Sequence, residues 1–129
     1  MLTGCEAIHF VATSRPTEAR AFYEGTLGLT LVADEPFALV FSVAGRMLRL
    51  AKTQPFEPLR HTVLGWNVTD IRLAVTQLRN RGVDFSRFAG IPQDELAIWQ
   101  SPSGAKVAWF KDPDGNALSL TEFPRGSAP

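Results

Sequence analysis

The chain of 129 residues repeats one pattern twice, and a duplicated pattern leaves few folds open. Ile8-His9-Phe10-Val11-Ala12-Thr13 reads as a strand that runs into a helix, and Val63-Leu64-Gly65-Trp66-Asn67-Val68 does the same. The first helix carries Ala19, Phe22, Tyr23 and Leu27 on one face, with Pro16 in its first turn and Gly28 after its end. The second carries Ile71, Ala74, Val75 and Leu78, opens at Thr69 or Asp70, and stops at Gly82. Arg15 stands where Asp70 stands, which leaves Ser14 as the one candidate cap for the first helix.

Short strands follow each helix. The spacing predicts Leu29 to Ala33, Phe37 to Val43 and Arg46 to Lys52 in the first half. In the second it predicts Val83 to Phe88, Ala105 to Lys111 and Asn116 to Phe123. The last strands match closely: Gly45-Arg46-Met47-Leu48-Arg49-Leu50 against Gly115-Asn116-Ala117-Leu118-Ser119-Leu120. The expected fold is α+β, with two tandem βαβββ modules forming a curved mixed-sheet cleft and the helices outside. The modules span about 6–52 and 61–123, joined by a Pro-containing connector at 53–60, within a single domain of residues 1–129. Asp112-Pro113-Asp114-Gly115-Asn116 lacks the spacing and terminal Glu of a calcium loop and is read as a structural turn.

Composition narrows the function classes. Lys and Arg together balance Asp and Glu at 13 each, so no charge excess draws the chain to nucleic acid or an anionic membrane. Cys5 is alone, which rules out an internal disulfide and a thiolate zinc site. No apolar run spans a bilayer and no signal peptide is visible, so a cytoplasmic location is expected.

Two motifs then carry a family resemblance: Ala21-Phe22-Tyr23-Glu24 with Leu27-Gly28-Leu29, and Trp109-Phe110-Lys111-Asp112-Pro113-Asp114-Gly115-Asn116. With the duplication, they make the chain similar to the vicinal oxygen chelate superfamily from Ile8 to Phe123. That superfamily includes glyoxalase I, bleomycin-resistance proteins and extradiol dioxygenases. The resemblance implies that metal-dependent members draw a ligand from the first strand and a carboxylate from the last strand of each half. It also implies a homodimer, for which Phe37, Phe56 and Phe88 are candidate interface aromatics.

Strand alternation locates the matching positions. Ile8, Phe10, Ala12, Met47, Arg49 and Ala51 are expected to face the cleft in the first half. In the second half Val63, Gly65, Asn67, Ala117, Ser119 and Thr121 are expected there. The four ligand positions therefore read Ile8, Arg49, Val63 and Ser119. Aliphatic groups offer a metal no lone pair and a guanidinium repels a cation, so neither metal nor cofactor is expected. A register slip that turned His9, His61 and Glu122 inward would restore a two-His, one-carboxylate set and a glyoxalase- or dioxygenase-type enzyme.

Without a metal, Arg49 offers a planar fork of donors suited to a carboxylate or phosphate, in apolar surroundings of Ile8, Phe10, Met47 and Val63. Asn67, Ser119 and Thr121 supply neutral hydrogen bonds, and Trp99 and Trp109 supply flat surfaces for a planar ligand. The competing reading is that Arg49 pairs with Asp94, Glu95 or Glu122 in a filled sheet interior. The stretch from Gly90 to Gly104 is long for a connection and reads as a lid, an interface segment or partly a strand. Within it Glu95 is the one general-base candidate placed near the cleft. The function expected is metal-free binding or sequestration of a small anionic or aromatic molecule, akin to the bleomycin-resistance branch.

Overall fold

The computed structural model describes residues 1–126. The chain divides into two compact units, Met1–Pro58 and Leu59–Pro129, and each carries one copy of the repeat.

In the first unit, β1 (His9–Thr13) leads into α1 (Pro16–Arg20), which continues as a π-helical stretch over Ala21–Thr26. The strands β2 (Thr30–Asp34), β3 (Ala38–Val43) and β4 (Arg46–Lys52) follow. They form one four-stranded sheet in the order β1-β4-β3-β2. β1 runs parallel to β4, and the other pairs are antiparallel. Pro16 opens the helix as expected, but Arg15 rather than Ser14 holds the cap position, with no side-chain cap bond. The Arg15 N–H instead donates to Thr13 Oγ1 at 3.1 Å. One sheet face is sealed by Val11, Leu39, Phe41, Leu48 and Leu50, all buried, and the helical segment adds Ala19 and Tyr23. The Tyr23 and Phe41 rings lie 6.0 Å apart, which fixes the helix over the middle of the sheet.

The second unit repeats this plan with β5 (Thr62–Asn67), α2 (Ile71–Asn80), β6 (Trp99–Gln100), β7 (Lys106–Lys111) and β8 (Ala117–Glu122). Its order is β5-β8-β7-β6, again with the first and last strands parallel. Asp70 caps α2 by accepting the Leu73 N–H at 3.1 Å. Ile71 and Val75 are fully buried from α2, which packs against β7 and β8. Trp66, Phe85 and Phe110 gather on the same side, Trp66 stacked on Phe110 at 6.3 Å.

Two expectations need correction here. Val83 to Phe88 is not a strand; among the described residues its β-pairing with the sheet is one bridge, Phe85 to Phe110. The edge position is taken by β6, two residues from within the long 90–104 connection. The sequence favoured the longer apolar run, but the edge belongs to whichever segment meets the free side of β7, a long-range choice that periodicity does not encode. The turns between the last two strands also differ. In the first unit Ala44 and Gly45 make a two-residue turn with φ of 49° and 77°, the signs of the mirror-image turns that match strand twist. In the second, residues 112–116 replace it with a loop organised by Asp112.

Candidate functional site

Strand pairing sets which side chains stand level on the face of each sheet turned away from its helix. In the first unit Phe10 is level with Arg49, and Arg49 with Val40. The next row is Ala12, Ala51 and Ala38, so three methyl groups form a low floor beside the guanidinium. Phe10, Ile8 and Met47 keep 62%, 48% and 41% of their surface exposed, which is unusual for a strand whose opposite face is sealed. Arg49 is the one charge in this surround taken from the strands, and its side chain is 28% exposed.

Its partner is not one of the acids the sequence suggested. Arg49 Nη2 donates at 3.0 Å to Oε1 of Glu35, which lies in the β2–β3 turn on the far side of β3. Asp94 and Glu95 are taken by Arg72 of α2, at 3.3 and 2.6 Å. Glu122 accepts the Ile71 N–H at 3.0 Å, at the positive end of α2, and lies 3.8 Å from Lys106.

In the second unit Gly65, Ser119 and Trp109 form one row, and Asn67, Thr121, Val107 and Trp99 form the next. A Cβ at Gly65 would meet Ser119 Oγ at 2.7 Å, so glycine lets β5 lie against this serine. The two indoles are 5.9 Å apart, and Phe88 meets Trp109 edge-on at 5.4 Å. Phe88 entered the sequence reading only as an interface candidate; its place in this aromatic group depends on a loop whose path the spacing did not reveal. Val63 is displaced from its expected row. The pairing moves from Thr62–Ala117 to Leu64–Leu118, so Val63 is the extra residue of a bulge and Thr62 stands level with Ala117.

Glu95 as a general base is not supported by its surroundings. It is bound to α2 through Arg72, on the helix side, and that hydrogen bond first, with the guanidinium's charge, holds its carboxyl below the usual range. The expected alternation fails because Asp94–Ala97 closes a turn, with Ala97 at φ 63°. The segment is tied down rather than lid-like. Asp94 Oδ1 accepts the N–H groups of Leu96 and Ile98, while Gln93 bonds to Ser86, Ala97 and Phe88. Against α2 it leaves an open cavity of about 470 Å³ lined by Arg72, Gln93, Asp94, Ile98, Gln100 and Lys106.

The set of His9, His61 and Glu122 is not assembled. His9 pairs in register with Leu48 without a bulge, His61 is exposed, and Glu122 is engaged at α2. Among the described residues no three of His, Cys, Asp and Glu come close enough to hold a metal ion. Nor is any described helix long and apolar enough to cross a membrane.

A model of the Glyoxalase/Bleomycin resistance protein/Dioxygenase superfamily matches residues 7–120. The chain belongs to this superfamily. Solved structures agree at the level of the fold. A bleomycin resistance determinant encoded on the transposon Tn5 is 20% identical, with a TM-score of 0.72, covering 92% of this chain and 97% of that one. A superfamily member from Sphaerobacter thermophilus is 24% identical, with a TM-score of 0.69 and coverage of 92% and 98%. A lactoylglutathione lyase from Agrobacterium tumefaciens is 19% identical, with a TM-score of 0.64 and coverage of 91% and 93%. No functionally curated protein matches the chain. At these identities the neighbours, a resistance determinant and a lyase among them, show the fold of this chain and not its function.

Proposed function

We propose that this superfamily member binds a small anionic or aromatic molecule without a metal, in a sequestering or carrier role. Arg49 is the anion contact in this reading. The observation that carries it is a cation level with exposed Phe10, near exposed Met47 and beside an alanine floor, where the resemblance implies a carboxylate in metal-dependent members. The guanidinium fork matches a carboxylate in two-point geometry, and a ligand lying over Phe10 would itself shield that ionic pair from water. Its existing pair with Glu35 is half-exposed and therefore weak enough to be displaced. The second sheet, taken by itself, offers a further candidate ligand surface, with Trp99 and Trp109 as planar groups and Asn67, Ser119 and Thr121 for neutral hydrogen bonds. Ile8 adds apolar surface on the first sheet, Val63 belongs to the surface of the second sheet through its bulge, and Glu95 is held by Arg72 on the α2 side. A cytoplasmic homodimer belongs to the same proposal, with Phe37, 82% exposed, as available apolar area.

The test is a thermal-shift screen of small aromatic acids on the wild type and Arg49→Ala. Acids that bind should raise the wild-type melting temperature by several degrees, since saturation at about a hundred times Kd stabilises by roughly 2.7 kcal/mol. Arg49→Ala should lose most of that rise while melting, without ligand, close to the wild type. Equal stabilisation of both proteins would remove Arg49 from the site.

A further inference from the structure

Glu35 is placed to decide which anions Arg49 accepts. Its backbone is fixed independently of its side chain. The Glu35 N–H donates to Ala38 O at 2.8 Å, Ala38 N–H returns to Glu35 O at 3.3 Å, and Lys52 Nζ donates to the same carbonyl at 2.8 Å. This clamp puts Glu35 opposite Ala38, in the row of Ala38, Ala51 and Ala12, on the face that carries Arg49. The carboxylate spends one oxygen on Arg49 Nη2 at 3.0 Å, and 47% of the side chain is exposed.

We infer that Glu35 makes the Arg49 site selective for anions that carry a hydrogen-bond donor beside the carboxylate, such as 2-hydroxy or N–H-bearing acids. The inference rests on the reading of Arg49 as the anion contact. A plain carboxylate that replaces Glu35 on the guanidinium gains one ionic contact and meets a second negative charge a few ångströms away, so part of the gain is cancelled. An acid with an adjacent O–H or N–H turns that neighbour into an acceptor, and both charged groups end paired. Ala12 and Ala51 put only methyl groups beside Arg49, with Ala38 of the same row buried, while Phe10 offers the ligand's apolar part a surface.

Phenylacetate and mandelate test this, because they differ by one hydroxyl and both are ionised at neutral pH. Calorimetric titration of the wild type should give racemic mandelate about fivefold tighter binding than phenylacetate, a modest value for a half-exposed ionic hydrogen bond. Glu35→Gln removes the charge without touching the backbone clamp. It should tighten phenylacetate and bring the two acids to within about twofold of each other. Unchanged affinities in Glu35→Gln, with both acids lost in Arg49→Ala, would overturn the role of Glu35 and leave Arg49 as the anion contact. If neither acid binds the wild type, or Arg49→Ala binds both as well, the reading of Arg49 fails and this inference fails with it.

Discussion

Phe110→Ala should lower the free energy of unfolding by about 4 kcal/mol, within the range for aromatic truncation in a sealed core. Phe110 keeps 1% of its surface exposed, stacks on Trp66 at 6.3 Å and tilts against Phe85 at 5.4 Å. It also holds the β-bridge that pairs the 83–88 segment with the sheet. Truncation therefore opens a void that neither ring can fill without breaking the strand pairing on either side. The neighbouring Trp109 points to the other face and is only partly buried, so Trp109→Ala should cost less than half as much despite its larger side chain. Guanidinium unfolding of both variants checks the pair. Equal losses would mean that the two faces of β7 are assigned wrongly.

The second large effect is expected at Asp112, which is 6% exposed. Its Oδ1 accepts the N–H groups of Asp114 and Asn116, both at 2.9 Å, and its Oδ2 accepts Asn116 Nδ2 at 2.9 Å. Asn116 is itself 4% exposed, so two of these donors have little access to water when the acceptor is removed. Asp112→Ala should cost about 3 kcal/mol, as unsatisfied buried donors do. Asp112→Asn keeps an oxygen for the backbone donors but turns an amide toward Asn116, so it should recover only part of the loss. The check is the same unfolding measurement on both variants, and a loss in Asp112→Ala no larger than that of an exposed turn residue would refute the account of this loop. Gly115, at φ 88°, completes the turn, and no metal ligand spacing is needed to explain the aspartates.

How far the sequence reached depends on whether local or distant contacts decided each feature. The repeat, both helices, the Asp70 cap and the Asp112 turn follow from neighbouring residues, and the structure bears them out. The facing of Phe10, Arg49 and Ser119 follows from strict alternation, and that of Gly65 from the part of β5 beyond its bulge. Val63 departs because one extra residue in β5 breaks that alternation. Glu95 was misplaced for a similar reason: a turn with a left-handed Ala97 interrupts what looked like a strand. The edge strand was misplaced because Trp99–Gln100 earns its position through β7, several residues away and after a connection of irregular path.

The Glu35 contact is encoded in strand register rather than in charge. The Ala44-Gly45 turn fixes Ala38 opposite Ala51, and the short return before it sets Glu35 opposite Ala38. Counting register back through both turns brings Glu35 beside Arg49. Charge alone could not single it out from Asp94, Glu95 or Glu122, because composition carries no register.

Arg49 is proposed to hold its anion without a metal. Calorimetric titration of one aromatic acid, before and after exhaustive chelation and dialysis of the same protein, tests it most directly. The same affinity is expected in both samples, with loss of binding in Arg49→Ala under either condition. Binding that disappears on chelation and returns with a stoichiometric divalent metal would contradict it.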